Sequence, residues 1–299
     1  DRRQRQMCIR DRYSDTDNYL QLLADEFDGA CSIGIDKNFP ARFLIPLMNL
    51  VDECHFELGS ECVDRVRMIK DEKEQQLMIE ASKINDLVVD EVINICAKGN
   101  LTEEEVSKQL EGIYQKHGCV GNSFEPIVAY GKNGADNHHS GDDSRLKAGD
   151  SIVIDIGGLY KGYCSDMTRT VFYKEVSPKQ KTVYELVLKA QKAAEAMIKP
   201  GVRLCDIDKC ARDIIAEGGY TVEFNHRLGH FIGRDVHEWC DVSQNFDLEV
   251  QEGMTFSIEP GVYLQGEFGV RIEDLVLVTK DGCKVLNSYP KDLRIIGND

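Results

Sequence analysis

Three observations predict an α+β fold with internal pseudo-twofold symmetry for this chain of 299 residues. Apolar residues recur at helical spacing in two separate stretches, each followed by a second helix-like stretch. Strand-like text follows each helical pair. Each of those strand regions holds two acidic residues within apolar runs, so one helix-helix-sheet plan is written twice.

Taken in order, residues 1–12 (DRRQRQMCIRDR) carry five Arg and two Asp ahead of a strongly acidic body. Residues 1–14 are therefore read as a non-native or disordered arm. From Asp15 the text becomes that of a folded protein. DNYLQLLADEF is amphipathic, ACSIGID reads as a strand, and FPARFLIPLMNL continues into a helix. Residues 15–70 form a small, partial α/β domain in this reading, with Val66–Lys70 as its linker and sheet edges exposed at its truncated front.

Residues 71–299 form the larger domain. Leu77, Ala81, Ile84, Val88, Val92 and Ile95 share one helical face up to Gly99. Thr102 with Glu105 forms a capping box for a second helix ending near His117-Gly118, and PIVAY (126–130) reads as a strand. SIVIDI (151–156) and TRTVFY (168–173) are two more strands, with Gly157, Gly158 and Gly162 in the turn region between them. Ser177-Pro178 opens the second block, 204–217 gives its second helix, and MTFSIEPGVYL (254–264) and GVRIEDLVLVT (269–279) give its strands across Gly266.

Composition excludes several classes. A net charge of −16 and a sequence pI near 4.9 argue against nucleic acid, whose phosphates demand clustered Lys and Arg. Eleven cysteines without a C-x-x-C pair read as reduced thiols of a cytoplasmic protein. No apolar stretch reaches the ~18–20 residues of a membrane span, and no signal-peptide core is present.

The chemistry concentrates in five residues in strand-like contexts: Asp155, Asp166, His230, Glu259 and Glu273. A buried carboxylate costs several kcal/mol unless it is paired or holds a metal. Asp155 and Asp166, eleven residues apart, can share one face of a hairpin, where neighbouring side chains lie only ~5 Å apart. Glu259 precedes Pro260, which biases it to extended backbone. Taken singly, each has a bland reading as a turn, edge or core residue. Together they form a hard ligand set suited to manganese and tolerant of cobalt, iron or zinc.

These strings, VIDIGG, YCSDMTRT, GHFIG, VHEW, IEPG and RIED, resemble in order and spacing the metal-dependent Xaa-Pro peptidases, relatives of methionyl aminopeptidase and creatinase. The resemblance runs from about Val66 to Leu293. It implies the pita-bread fold for 71–299 and a truncated creatinase-like N-terminal domain for 15–70. It also implies two divalent ions per chain, with Asp155 a ligand of one metal, Asp166 and Glu273 bridging, and His230 and Glu259 ligands of the other. Glu259 would also handle the proton that passes from water to the leaving amine, and His138 and His237 would contact substrate. Arg271, two residues before Glu273, favours Xaa-Pro over methionine specificity, either orienting the bridging carboxylates or meeting substrate; merely neutralising acids such as Asp274 is the plainer reading. The partner implied is a peptide with proline at its second position, the full-length assembly a homodimer. Methionyl aminopeptidase-like activity and a silent binding protein of the same fold are the alternatives. His139 and Trp239 receive no definite role.

Overall fold

A computed structural model describes residues 14, 16–27, 29 and 32–298. The arm expected at 1–14 lies outside the described residues apart from Ser14. Contacts divide the chain into Asp1–Arg65 and Val66–Asp299.

In the first unit, helix α1 (Tyr19–Asp25), strand β1 (Ser32–Ile35), helix α2 (Ala41–Leu50) and strand β2 (His55–Leu58) precede helix α3 (Ser60–Met68). Strands β1 and β2 pair in parallel, Ser32 opposite His55. The sequence reading gave β1 and α2 and an amphipathic stretch at α1, but neither β2, whose HFEL text is short and largely exposed, nor α3, which runs to Met68 through text read as a linker.

The second unit opens with α4 (Glu72–Ala97) and α5 (Glu103–Lys116), both started by capping boxes, Asp71 with Glu74 and Thr102 with Glu105. Such a cap contributes about 1 kcal/mol by satisfying otherwise orphaned N–H groups. Strands β3 (Ile127–Tyr130), β4 (Ser151–Ile156) and β7 (Met167–Tyr173) run antiparallel as neighbours, and β15 (Ile295–Ile296) adds to the outer edge of β7. The β4–β7 turn region is more than a glycine turn. It contains its own small hairpin, β5 (Leu159–Tyr160) and β6 (Tyr163–Cys164), with Lys161 and Gly162 at positive φ in its tip. Gly157 permits this close return, because a Cβ there would stand 2.0 Å from the Ser165 carbonyl oxygen.

Helices α6 (Pro178–Met197) and α7 (Leu204–Glu217) repeat the plan, with Ser177 and Gln180 closing the capping box of α6. They bury Val183, Val187, Ile207 and Ile215 in the core that also holds Phe231 and Phe256. Each such side chain contributes roughly 1.5–3 kcal/mol when removed from water.

After the two-residue strands β8 (Gly229–His230) and β9 (Asp241–Val242), the two long strands expected at 254–264 and 269–279 are each broken in the middle. Strand β10 (Thr255–Ile258) pairs with β13 (Asp274–Val278), and β11 (Gly261–Leu264) with β12 (Phe268–Arg271). A third strand, β14 (Cys283–Val285), borders β13. The break falls at Glu259-Pro260 opposite Ile272-Glu273. Proline has no N–H for the ladder, so the Glu259 N–H donates to the Leu228 carbonyl and the Glu273 N–H to that of Thr168. Among the described residues no helix is long and apolar enough to cross a membrane.

Candidate metal centre

Strand alternation builds the floor of the site. Along β7, Thr168 and Thr170 face one way and Arg169 the other. The Thr168 hydroxyl donates to Glu273 Oε2 at 2.7 Å, and Thr170 Oγ1 accepts the Arg271 N–H at 3.1 Å. These hydroxyls join the aspartate hairpin to the glutamate hairpin. Behind them the buried Arg169 guanidinium donates to the Glu273 carbonyl at 2.6 Å and pairs with Asp274 at 2.7 Å.

All five proposed ligands line one cavity of about 630 Å³, together with His138, His139, His226, His237 and Arg271. The expectation that each would sit in a strand needs correcting: only Asp155 and His230 do. Asp166, Glu259 and Glu273 lie one residue beyond strand ends. There the pleat no longer fixes side-chain direction, so each carboxylate can turn toward a common point.

Ligand atoms of Asp166, His230 and Glu273 all lie within 4.8 Å of one another. His230 Nε2 stands 3.4 Å from Asp166 Oδ2 and 3.6 Å from Glu259 Oε1. Its Nδ1 faces the Phe231 carbonyl oxygen at 3.2 Å, which can only accept, so Nδ1 carries the proton. The Nε2 lone pair therefore faces carboxylate oxygens, an arrangement that repels unless a cation lies between them. Asp155 Oδ1, Asp166 Oδ1 and Glu273 Oε1 are buried and accept no hydrogen bond. Three free acceptor oxygens and one free imidazole lone pair fit metal coordination.

The electrostatics carry the same signature. Burial, then the neighbouring Asp155 charge, pushes Asp166 well above the usual carboxylate range, and burial with Asp166, Glu259 and Asp155 does the same to Glu273. Burial lifts Glu259 to about 7 and lowers His230. His237 stacks edge-on to His230 with ring centres 4.4 Å apart, and burial followed by the His230 charge lowers it to about 4. The loop carrying His237 is pinned through the next residue, Glu238, which accepts from Arg67 at 2.6 Å, Lys70 at 2.9 Å and the Arg234 N–H at 3.0 Å.

Arg271 does not pair with Asp274, as its plainer reading had it. Its Nη2 donates to Asp155 Oδ2 at 2.6 Å, its Nη1 to the Tyr263 hydroxyl at 2.9 Å and its Nε to Thr168 Oγ1 at 3.1 Å. Asp274 is held instead by Arg169 and by Lys291 at 2.6 Å. A strand break separates the two, since Arg271 ends β12 and Asp274 opens β13 on the far side of Ile272-Glu273.

His226 escaped the sequence reading. It lines the cavity, its Nδ1 donating to the Arg227 carbonyl at 2.7 Å and its Nε2 accepting from Tyr263 at 2.9 Å. The available signal was its even spacing from His230 in extended text. His139 bonds to Glu103 at 2.6 Å at the cavity edge, and Trp239 packs edge-on against Phe246.

Comparison with known proteins follows this geometry. Residues 76–280 match the model of metallopeptidase family M24. The chain is 45% identical over 241 residues to the putative dipeptidase YkvY of Bacillus subtilis, covering 81% of this chain and 66% of that protein, so it spans about two thirds of that relative. It is 40% identical over 273 residues to the Xaa-Pro dipeptidase of Pyrococcus horikoshii, covering 90% and 78%. The crystal structure of the prolidase from Pyrococcus horikoshii OT3 superposes with a TM-score of 0.87 at 38% identity, covering 93% of this chain and 80% of that one. With its pita-bread fold and its cluster of metal-competent side chains, the chain belongs to metallopeptidase family M24.

Proposed function

We propose that this chain hydrolyses the peptide bond between an N-terminal residue and a following proline, with Asp155, Asp166, His230, Glu259 and Glu273 holding two divalent ions. The observation that carries the reading is the His230 Nε2 lone pair aimed among carboxylates. The hard oxygen-rich donor set favours manganese. Similarity to an Xaa-Pro dipeptidase over 90% of the chain supports the proline preference.

Two divalent ions bound there supply a hydroxide at neutral pH and Lewis-acid polarisation of the scissile carbonyl. The protein's own residues do the rest. Asp166 and Glu273 would be ligands of these ions, each oriented from behind: Glu273 by Thr168 and Arg169, Asp166 through its backbone carbonyl by Asn287. Glu259, beside the attacking water in this reading, takes its proton and returns it to the leaving nitrogen. His237, lowered to about 4, stays neutral, and with His138 it donates hydrogen bonds to the substrate carbonyl as charge develops. Arg271 orients Asp155 from the floor of the cavity. A homodimer and a cytoplasmic setting belong to the same proposal.

The test is turnover of an Xaa-Pro dipeptide, an Xaa-Pro tripeptide and a Met-Ala peptide with added manganese. Cleavage of the first two with little of the third supports the reading. Preference for Met-Ala would shift it to methionyl aminopeptidase-like activity, and inertness toward all three to a binding protein.

A further inference from the structure

Glu103 is the first residue of α5 and is fully buried. A carboxylate in that position must find its donors inside the protein. It has four, and all come from a single segment. Oε1 accepts from the Tyr130 N–H at 2.6 Å and from Asn133 Nδ2 at 3.0 Å; Oε2 accepts from His139 Nε2 at 2.6 Å and from the Asp142 N–H at 3.0 Å. The chain from Tyr130 to Asp142 therefore wraps around one carboxylate. Gly141 allows the closest pass, since a Cβ there would lie 3.3 Å from the Glu103 backbone.

Glu103, His139 and Asp142 also have the spacing of a metal-binding trio. The donor count argues against that use. Both Glu103 oxygens already face N–H groups, and His139 Nε2 must carry a proton to donate, which removes its lone pair. What the cluster does instead is grip a loop, and His138 lies inside that loop. Both His138 and His139 line the metal cavity, and His139 is the one bonded to Glu103. The His138 N–H is tied as well, to Asp136 Oδ1 at 3.0 Å.

We propose that Glu103 is a positioning residue for hydrolysis, fixing the place of the His138 imidazole by holding His139 and the backbone on either side of it. Hydrogen bonds to an ionised acceptor are roughly twice as strong as neutral ones, so four of them make a stiff anchor for an otherwise irregular segment. Stiffness matters because a ~1 Å misplacement in a catalytic array can cost ~10²-fold in rate. The inference rests on the reading of His138 as a substrate donor.

The experiment uses the metal-loaded protein, an Xaa-Pro dipeptide, and Glu103→Gln, His139→Leu and His139→Gln, each alone and combined with His138→Ala. Turnover, bound metal and amide hydrogen exchange across 130–142 are measured. Glu103→Gln and His139→Leu should lower kcat by ~10–100-fold, leave bound metal unchanged and speed exchange in that segment. His139→Gln, which keeps a donor toward Glu103, should recover most of the loss. With His138→Ala present, the further loss from either variant should shrink below about twofold, because no imidazole remains to be placed. If Glu103→Gln does not fold, the half-buried His139→Leu carries the same comparison. Losses that persist undiminished without His138, or no loss at all, overturn the proposal alone. An unaltered protein that binds two metals yet turns over no Xaa-Pro substrate overturns the functional reading and this proposal with it.

Discussion

Arg271 Nη2 donates to Asp155 Oδ2 at 2.6 Å, tying the end of the glutamate hairpin to the aspartate hairpin inside the metal cavity. The same guanidinium reaches Tyr263 and Thr168, so one planar group fixes three acceptors. A lysine offers a point charge without that fork. Arg271→Lys should therefore weaken metal binding or activity by ~10–100-fold, the range for partners that orient ligands. Metal titration of the two proteins checks this, and equal affinity with equal turnover would leave Arg271 without the orienting role.

The histidines should separate by role. His138→Ala and His237→Ala should each lower turnover by ~10²–10³-fold if they stabilise developing charge, while bound metal is retained. His230→Ala should lose metal. Equal metal loss in all three would dissolve the distinction between ligand and substrate histidines.

Glu259 gives a pH-dependent prediction for metal-free protein. Its ordinary value is 4.5 and burial raises it to about 7 in the fold. The folded state thus holds a proton that the unfolded state has released, so its contribution is present below 4.5 and is lost as pH rises through 7. Glu259→Gln removes this titration at nearly constant shape. After chelation, the variant and the parent should melt alike at pH 5, and the variant should be the more stable at pH 8. The opposite order at pH 8 contradicts the raised Glu259 carboxylate.

His226 has the opposite sign. Burial first, then the Arg271 charge, lowers it from 6.5 to about 3. Between those values the unfolded chain is protonated and the folded one is not, so its contribution is full above 6.5 and is lost as pH falls toward 3, at about 1.4 kcal/mol per pH unit. His226→Gln should flatten the acid side of the stability curve by one proton, measured by denaturant unfolding between pH 4 and 7.

The sequence made the helices most legible, because periodicity and caps are local. Thr102 with Glu105 and Ser177-Pro178 announce their helices in a few residues of text, and both helices are closed by capping boxes. The five acid and imidazole residues read as a ligand set line one cavity. What sequence missed depends on long-range register. The break at Glu259-Pro260 is written in the proline, but its partner break at Ile272-Glu273 is visible only once β10 and β13 are paired. Tyr263 and Thr168 look like ordinary strand residues until Arg271 is seen between them. Glu103 looks like one of three surface acids in a first helical turn, and only the fold shows it fully buried.

The claim on which the rest depends is that Asp166 and Glu273 are shared by two ions. Elemental analysis of folded protein after dialysis against trace divalent metal, for the parent and for Asp166→Ala and Glu273→Ala, tests it directly. The account predicts about two equivalents per chain in the parent and loss of most of both in either variant, since removing a shared ligand unlinks the pair. A folded parent protein that retains no metal, or variants that keep both ions, would contradict it.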